Sequence, residues 1–132
     1  ASLASDGAME GQQYLRFENA DPESLSQALQ GTAVNGRRLA GLRLQFWMRC
    51  TAVVPGAGPS GQAAVVVHFY DGVRREIGAV VIGRWRGTLD WQDVRTVVQV
   101  PAEAKEMIFR IGLNGAVGQL DLDDLKIVPV PR

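Results

Sequence analysis

One cysteine and one histidine in 132 residues exclude much chemistry at once. A lone Cys50 cannot close an internal disulfide. It sits in an apolar alternation, where an inert buried thiol is expected rather than a nucleophile. A lone His68 cannot build a histidine-rich zinc site. Net charge is missing too, because 14 Lys and Arg balance 14 Asp and Glu. No global field therefore draws the chain to nucleic acid or to an anionic membrane. No apolar run approaches the roughly 20 residues of a membrane span, and no signal peptide is visible. A Ser-His-Asp triad has serines and aspartates to draw on, but no Gly-x-Ser-x-Gly elbow carries a nucleophile. Gly56-Ala57-Gly58-Pro59-Ser60-Gly61 lacks the lysine and the following helix of a phosphate loop. No spacing singles out a pair of acids for glycoside hydrolysis. Taken together, these absences point away from an enzyme.

Strand signals fill the chain. Its 46% hydrophobic and 21% charged residues suit one globular domain with one core, spanning residues 1–132. Alternation predicts strands over Gln13–Glu18, Ser24–Gln30, Leu39–Val54, Gln62–Tyr70, Glu76–Trp85, Val94–Val100, Glu106–Leu113 and Gln119–Val128. Pro55 to Gly61, Asp71-Gly72, Gly87 to Trp91 and Asn114 to Gly118 read as the connections. Asp21-Pro22-Glu23-Ser24-Leu25 offers a helix start, but the stretch to Gln30 is short for one. About eight antiparallel strands without helices predict an all-β fold, a two-sheet β-sandwich of the jelly-roll kind.

Aromatics on the polar sides of strands are the strongest functional signal. Along Leu42 to Cys50, one face takes Leu42, Leu44, Phe46, Met48 and Cys50. The other takes Arg43, Gln45, Trp47 and Arg49. A large ring flanked by arginines and an amide suits a sugar, which offers flat C–H faces for stacking and a rim of hydroxyls. The same alternation puts His68 and Tyr70 on the polar side of Gln62–Tyr70, and Arg110 opposite Phe109 and Ile111. If these strands share a sheet, one face gathers Trp47, Tyr70, His68, Gln45, Arg43, Arg49 and Arg110 as a binding surface. Arginine forks pair well with carboxylates, which admits acidic sugars. Ordinary sheet faces also carry Arg–Asp pairs and arginine stacked on indole.

Four segments resemble the carbohydrate-binding modules of galactose-binding-like jelly-roll fold that accompany bacterial glycoside hydrolases. They are Gly11-Gln12-Gln13-Tyr14-Leu15-Arg16-Phe17, Leu44 to Arg49, Trp85-Arg86-Gly87-Thr88-Leu89-Asp90-Trp91, and Ile111 to Gly115 leading to Leu122-Asp123-Asp124-Leu125. The resemblance implies a non-catalytic module that binds polysaccharide or oligosaccharide and holds an attached enzyme or surface protein on it. It implies an extracellular or cell-surface bacterial setting, with other domains of a parent protein as partners and neither nucleic acid nor membrane insertion. It implies an architectural role for Trp85 and Trp91, with binding at a loop tip as the alternative. No cofactor is required, but a structural calcium is implied near Asp123 or Asp124, with Asp121 beside them. Such modules usually start one strand earlier than the Gly11–Phe17 equivalent. Here either that strand is shortened to Ala1–Ala4 or the chain was cut within the domain. The opening Ala1-Ser2-Leu3-Ala4-Ser5 suggests a piece of a longer protein. The rival expectation is a structural or assembly sandwich whose half-exposed aromatics pack against sister domains.

Overall fold

The computed structural model describes residues 2–4, 14–20, 27–56 and 61–132. Among these residues there are nine strands and no helix. A five-stranded sheet has the order β1-β2-β9-β4-β7, formed by Ser2–Ala4, Tyr14–Asn19, Val117–Pro131, Leu39–Val54 and Gly87–Gln99. A four-stranded sheet has the order β3-β8-β5-β6, formed by Gln27–Ala33, Glu106–Gly112, Ala63–Tyr70 and Glu76–Trp85. Every pairing is antiparallel. This is the β-sandwich read from the alternation, with one strand more than the count of about eight.

The core is what the alternation demands. Leu42, Leu44, Phe46, Met48 and Cys50 of β4 are buried, as are Ala63, Val65, Val67 and Phe69 of β5. The two rows face each other across the sandwich, so β4 and β5 present their polar alternates on opposite outer surfaces. The Cys50 thiol lies in this core and reaches the Gly87 carbonyl at 3.5 Å. Burial pushes its pKa up, against a smaller opposing bond from the Leu89 backbone. Native protein should therefore resist thiol reagents at neutral pH and react only once denatured. Rapid labelling of one thiol per chain without denaturant would contradict this placement.

Three boundaries differ from the sequence reading. The Gly87–Trp91 stretch is not a loop but the start of β7. It pairs with β4 through Met48↔Gln92, Cys50↔Leu89 and Val53↔Gly87, with shifts between them. A long partner strand outweighs the poor strand propensity of Gly87. The chain passes from the four-stranded sheet to the five-stranded one through Arg86 alone. Gly87, at φ +72, makes the bend that such a crossing needs. The last strand runs on through Pro129 and Pro131. β2 pairs with β9 only from Gly118 to Leu122, which leaves the far end of β9 without a second neighbouring strand among the described residues, where prolines are tolerated. The Ser24–Gln30 strand appears as Gln27–Ala33, while Asp21 to Ser26, including the alternative helix start, lies outside the described residues. Ser2–Ala4 forms a short strand paired to β2.

The hairpin between β5 and β6 turns on one carboxylate. Asp71 Oδ1 accepts from the backbone N–H of Val73 at 3.0 Å and of Arg75 at 2.9 Å, and Oδ2 accepts from Arg75 Nε at 3.1 Å. The backbone bond from Arg75 is the main reason the Asp71 carboxyl is held below its ordinary 3.8, with the Val73 bond and the Arg75 charge adding to it. A depressed folded pKa means the stabilisation is complete above the unfolded value and disappears as pH falls through the folded one. The Val73 and Arg75 amide resonances should titrate together with a midpoint below 3.8. In Asp71→Asn that step should be absent.

A candidate binding face on the five-stranded sheet

The outer face of the five-stranded sheet is built in rows that cross β9, β4 and β7. One row holds Asp123, Trp47 and Asp93, which are direct cross-strand neighbours. The next, toward the N-terminus of β4, holds Lys126, Gln45 and Arg95. Beyond it lie Val128, Arg43 and Val97. On the other side of Trp47, Arg49 pairs with Asp121, which pairs in turn with Arg16 of β2. Directly opposed side chains in such rows stand about 5 Å apart. Opposite Phe46, β9 bulges at Asp124 and Leu125, with Asp124 at φ +53, so the rows on the two sides of Trp47 are offset.

A buried carboxylate fixes the aromatic end of this face. Asp121 is fully buried. Its Oδ1 accepts from Arg16 Nε at 2.9 Å. Its Oδ2 accepts from Arg49 Nη2 at 2.9 Å and Nε at 3.1 Å, and from Gln119 Nε2 at 3.2 Å. Pinned in this way, the Arg49 guanidinium lies 4.6 Å from the centre of the Trp91 ring. Trp91 and Trp47 are both half-buried, so each keeps part of its ring at the surface. A shallow depression of about 320 Å³ lined by Arg43, Gln45, Arg95, Thr96 and Val97 continues the face past Trp47. The surface thus combines two indoles, fixed guanidiniums, an amide and carboxylates. That set can stack on a sugar ring and bond its hydroxyls.

The structure divides the expected site between two surfaces. Trp47, Gln45, Arg43 and Arg49 share the five-stranded face. Tyr70, His68 and Arg110 do not join them, because β5 and β8 belong to the other sheet. On that far face His68 Nδ1 bonds Glu76 Oε1, and Arg110 Nε donates to His68 Nε2 at 3.4 Å. The imidazole therefore has partners at both nitrogens, and a single surface joining Tyr70 to Trp47 is not formed. Trp85 and Trp91 part company as well. Trp85 turns inward and meets Phe46 edge-on, with ring centres 6.0 Å apart. Trp91 turns outward onto the outer face of the five-stranded sheet, from a strand rather than a loop tip. Arg16 and Gln119 were not among the expected site residues. Arg16 does sit on the polar side of its strand, but nothing local shows that Asp121 lies beside it.

Two of the aspartates near the end of the chain are paired with cations. Asp121 accepts from two arginines, and Asp124 pairs with Lys126 at 3.1 Å. Among the described residues no three His, Cys, Asp or Glu side chains converge where a metal could sit. Residues 5–13, upstream of β2, lie outside the description.

No protein-family model matches the chain, and no curated protein matches it in sequence. Solved structures do match it in shape. The xylan-binding domain CBM22-1 from Paenibacillus barcinonensis superposes over 98% of this chain and 80% of its own, with a TM-score of 0.61 at 11% identity. A family 16 carbohydrate-binding module matches 96% of this chain and 83% of its own, with a TM-score of 0.55 at 17% identity. This chain has the fold of the carbohydrate-binding modules. The enzymatically active domain of bacteriophage CBA120 tailspike protein 4 contains the same module fold, with a TM-score of 0.66 over 98% of this chain at 12% identity. The chain spans only 17% of that tailspike structure. Identities this low carry the fold and nothing finer.

Proposed function

We propose that this chain is a non-catalytic module that binds polysaccharide or oligosaccharide on the outer face of its five-stranded sheet. The observation that carries the reading is two half-buried tryptophans, Trp47 and Trp91, on one face, the second held under a guanidinium that Asp121 fixes. Trp47 stacks on a sugar ring and Trp91, with Arg49 across one face of its indole, flanks it, while Arg49, Gln45 and Arg43 bond hydroxyls or carboxylates. The sheet is rigid and already formed, so little ordering opposes binding. Acting on the cell surface or in the medium, the module would keep an attached enzyme or surface protein on its glycan. The module-like neighbours support this reading, as does the small share that the chain occupies of the tailspike. Affinity electrophoresis against neutral and acidic polysaccharides tests it. Retardation by at least one polymer is expected, together with a change in tryptophan fluorescence. No retardation by any polymer would sink the proposal.

One observation favours the assembly reading instead. A mostly apolar groove of about 520 Å³ opens at the sandwich edge, lined by Val34, Leu39, Leu42, Met107, Ile127 and Pro129 among others. A sister domain packing there would bury it. That edge is separate from the tryptophan face, so the two roles do not exclude each other.

A further inference from the structure

We propose that the glycan carries uronic acid, and that its carboxylate is held over Arg43 and Arg95, one to two rows along β4 from Trp47. This rests on the glycan reading of the face and adds its substrate class. The face is electrically lopsided along β4. At Trp47 the cross-strand neighbours are both acids, Asp93 and Asp123. Asp123 is buried, and Asp93 is paired with Arg95, so no cation faces an anion in this row, whereas a neutral ring has the indole to stack on. One row on, the neighbours of Gln45 are both cations, Arg95 and Lys126. In the row after that comes Arg43.

The commitments of these cations leave room for an anion. Arg95 spends Nε on Asp93 Oδ2 at 2.8 Å, one of the five N–H donors of its guanidinium. Lys126 pairs with Asp124 at 3.1 Å. Arg43 is exposed and makes no hydrogen bond or ion pair among the described residues. Both acids that pair with this group, Asp93 and Asp124, are nearer the Trp47 side by register, so the side toward Arg43 is left positive. Arg43, Gln45 and Arg95 also line the depression of about 320 Å³, so the charge sits around a concavity rather than on a flat strand. Alternate residues on a strand stand about 7 Å apart, which puts Arg43 about 14 Å from Trp47. That spacing lets a sugar chain lying along β4 stack one unit on the indole and present the carboxylate of another to the arginines. Two guanidiniums around an amide match a carboxylate, whose two oxygens accept paired N–H bonds.

The test compares polymers that differ only in the acid group. Polygalacturonate, glucuronoxylan and alginate are each run beside their carboxyl-reduced forms, with neutral xylan and galactan included. At least one acidic polymer should bind about tenfold more tightly than its reduced counterpart, the usual effect of one charge-assisted bond. The preference should weaken as salt is raised. In Arg43→Gln/Arg95→Gln the ratio should fall to about one. Arg37→Gln should keep it, because that cation lies in a separate groove with Arg75 and Lys105. Equal binding of both forms, or a preference that survives the double variant, overturns the uronic-acid inference. If Trp47→Ala still abolishes binding in that case, the glycan reading stands alone. No binding to any polymer, neutral ones included, overturns both.

Discussion

Trp47→Ala should weaken glycan binding about thirtyfold or more, while the protein keeps its fold. Trp47 stands at the centre of the outer face, with Asp123 on one side and Asp93 on the other. Truncating a central, partly desolvated tryptophan in a binding surface typically costs about 2 kcal/mol or more, which is about thirtyfold in Kd. The core is not touched, because the residues on either side, Phe46 and Met48, are the ones that point inward. The melting temperature should therefore move little. Trp47→Phe should retain part of the affinity, since a smaller ring still offers a flat face. Tyr70→Ala is the informative control. Tyr70 belongs to β5 in the other sheet, and its loss should leave binding unchanged. Calorimetry with the best-retained polymer reads all three variants. Equal loss in Trp47→Ala and Tyr70→Ala would place the ligand somewhere other than the five-stranded face.

That control marks where the sequence stopped being informative. The strand Leu39–Val54 was legible to the residue, because the clean alternation of Leu42 to Cys50 runs on to the turn signal that opens at Pro55. Alternation also told inside from outside correctly for Leu44, Phe46, Trp47 and Arg49. It cannot say which outside. A sandwich has two outer faces, and polar alternates on β4 and β5 look the same in sequence although they point in opposite directions. Only the pairing of β4 with β9 and β7, strands more than thirty residues away, assigns Trp47 its neighbours. The same non-locality hid Arg16. Its partner Asp121 is 105 positions along the chain. The tryptophans were legible as a pair but not as opposites. A one-residue crossing at Arg86 followed by a glycine bend sends Trp85 into the core and Trp91 out to the surface, and no periodicity runs through such a bend.

Asp121→Ala should destabilise the protein by about 3 kcal/mol and lower its melting temperature by about 10 °C. The carboxylate is wholly buried, and the side chains of its two arginine partners are only 22% and 21% exposed. Removing it leaves two like charges close together in a partly desolvated site with their common counter-ion gone. The figure sits at the lower end of what breaking a buried pair costs, because both guanidiniums still reach some water. The damage should not stop at stability. Arg49 loses the anchor that holds it over Trp91, so binding by whatever fraction remains folded should weaken too. Replacing Arg16, Arg49 and Asp121 together with apolar residues of similar size should recover much of the stability, because it removes the two guanidiniums that have lost their shared buried counter-ion. It should not recover binding, since no guanidinium then covers Trp91. Chemical denaturation of the single and triple variants, alongside binding measured well below their transitions, separates these outcomes. A triple variant that is stable but does not bind makes the buried carboxylate a device for placing Arg49. If the triple variant binds as the parent does, Trp91 needs no guanidinium, and the charge network serves only to tie β2, β9 and β4 together.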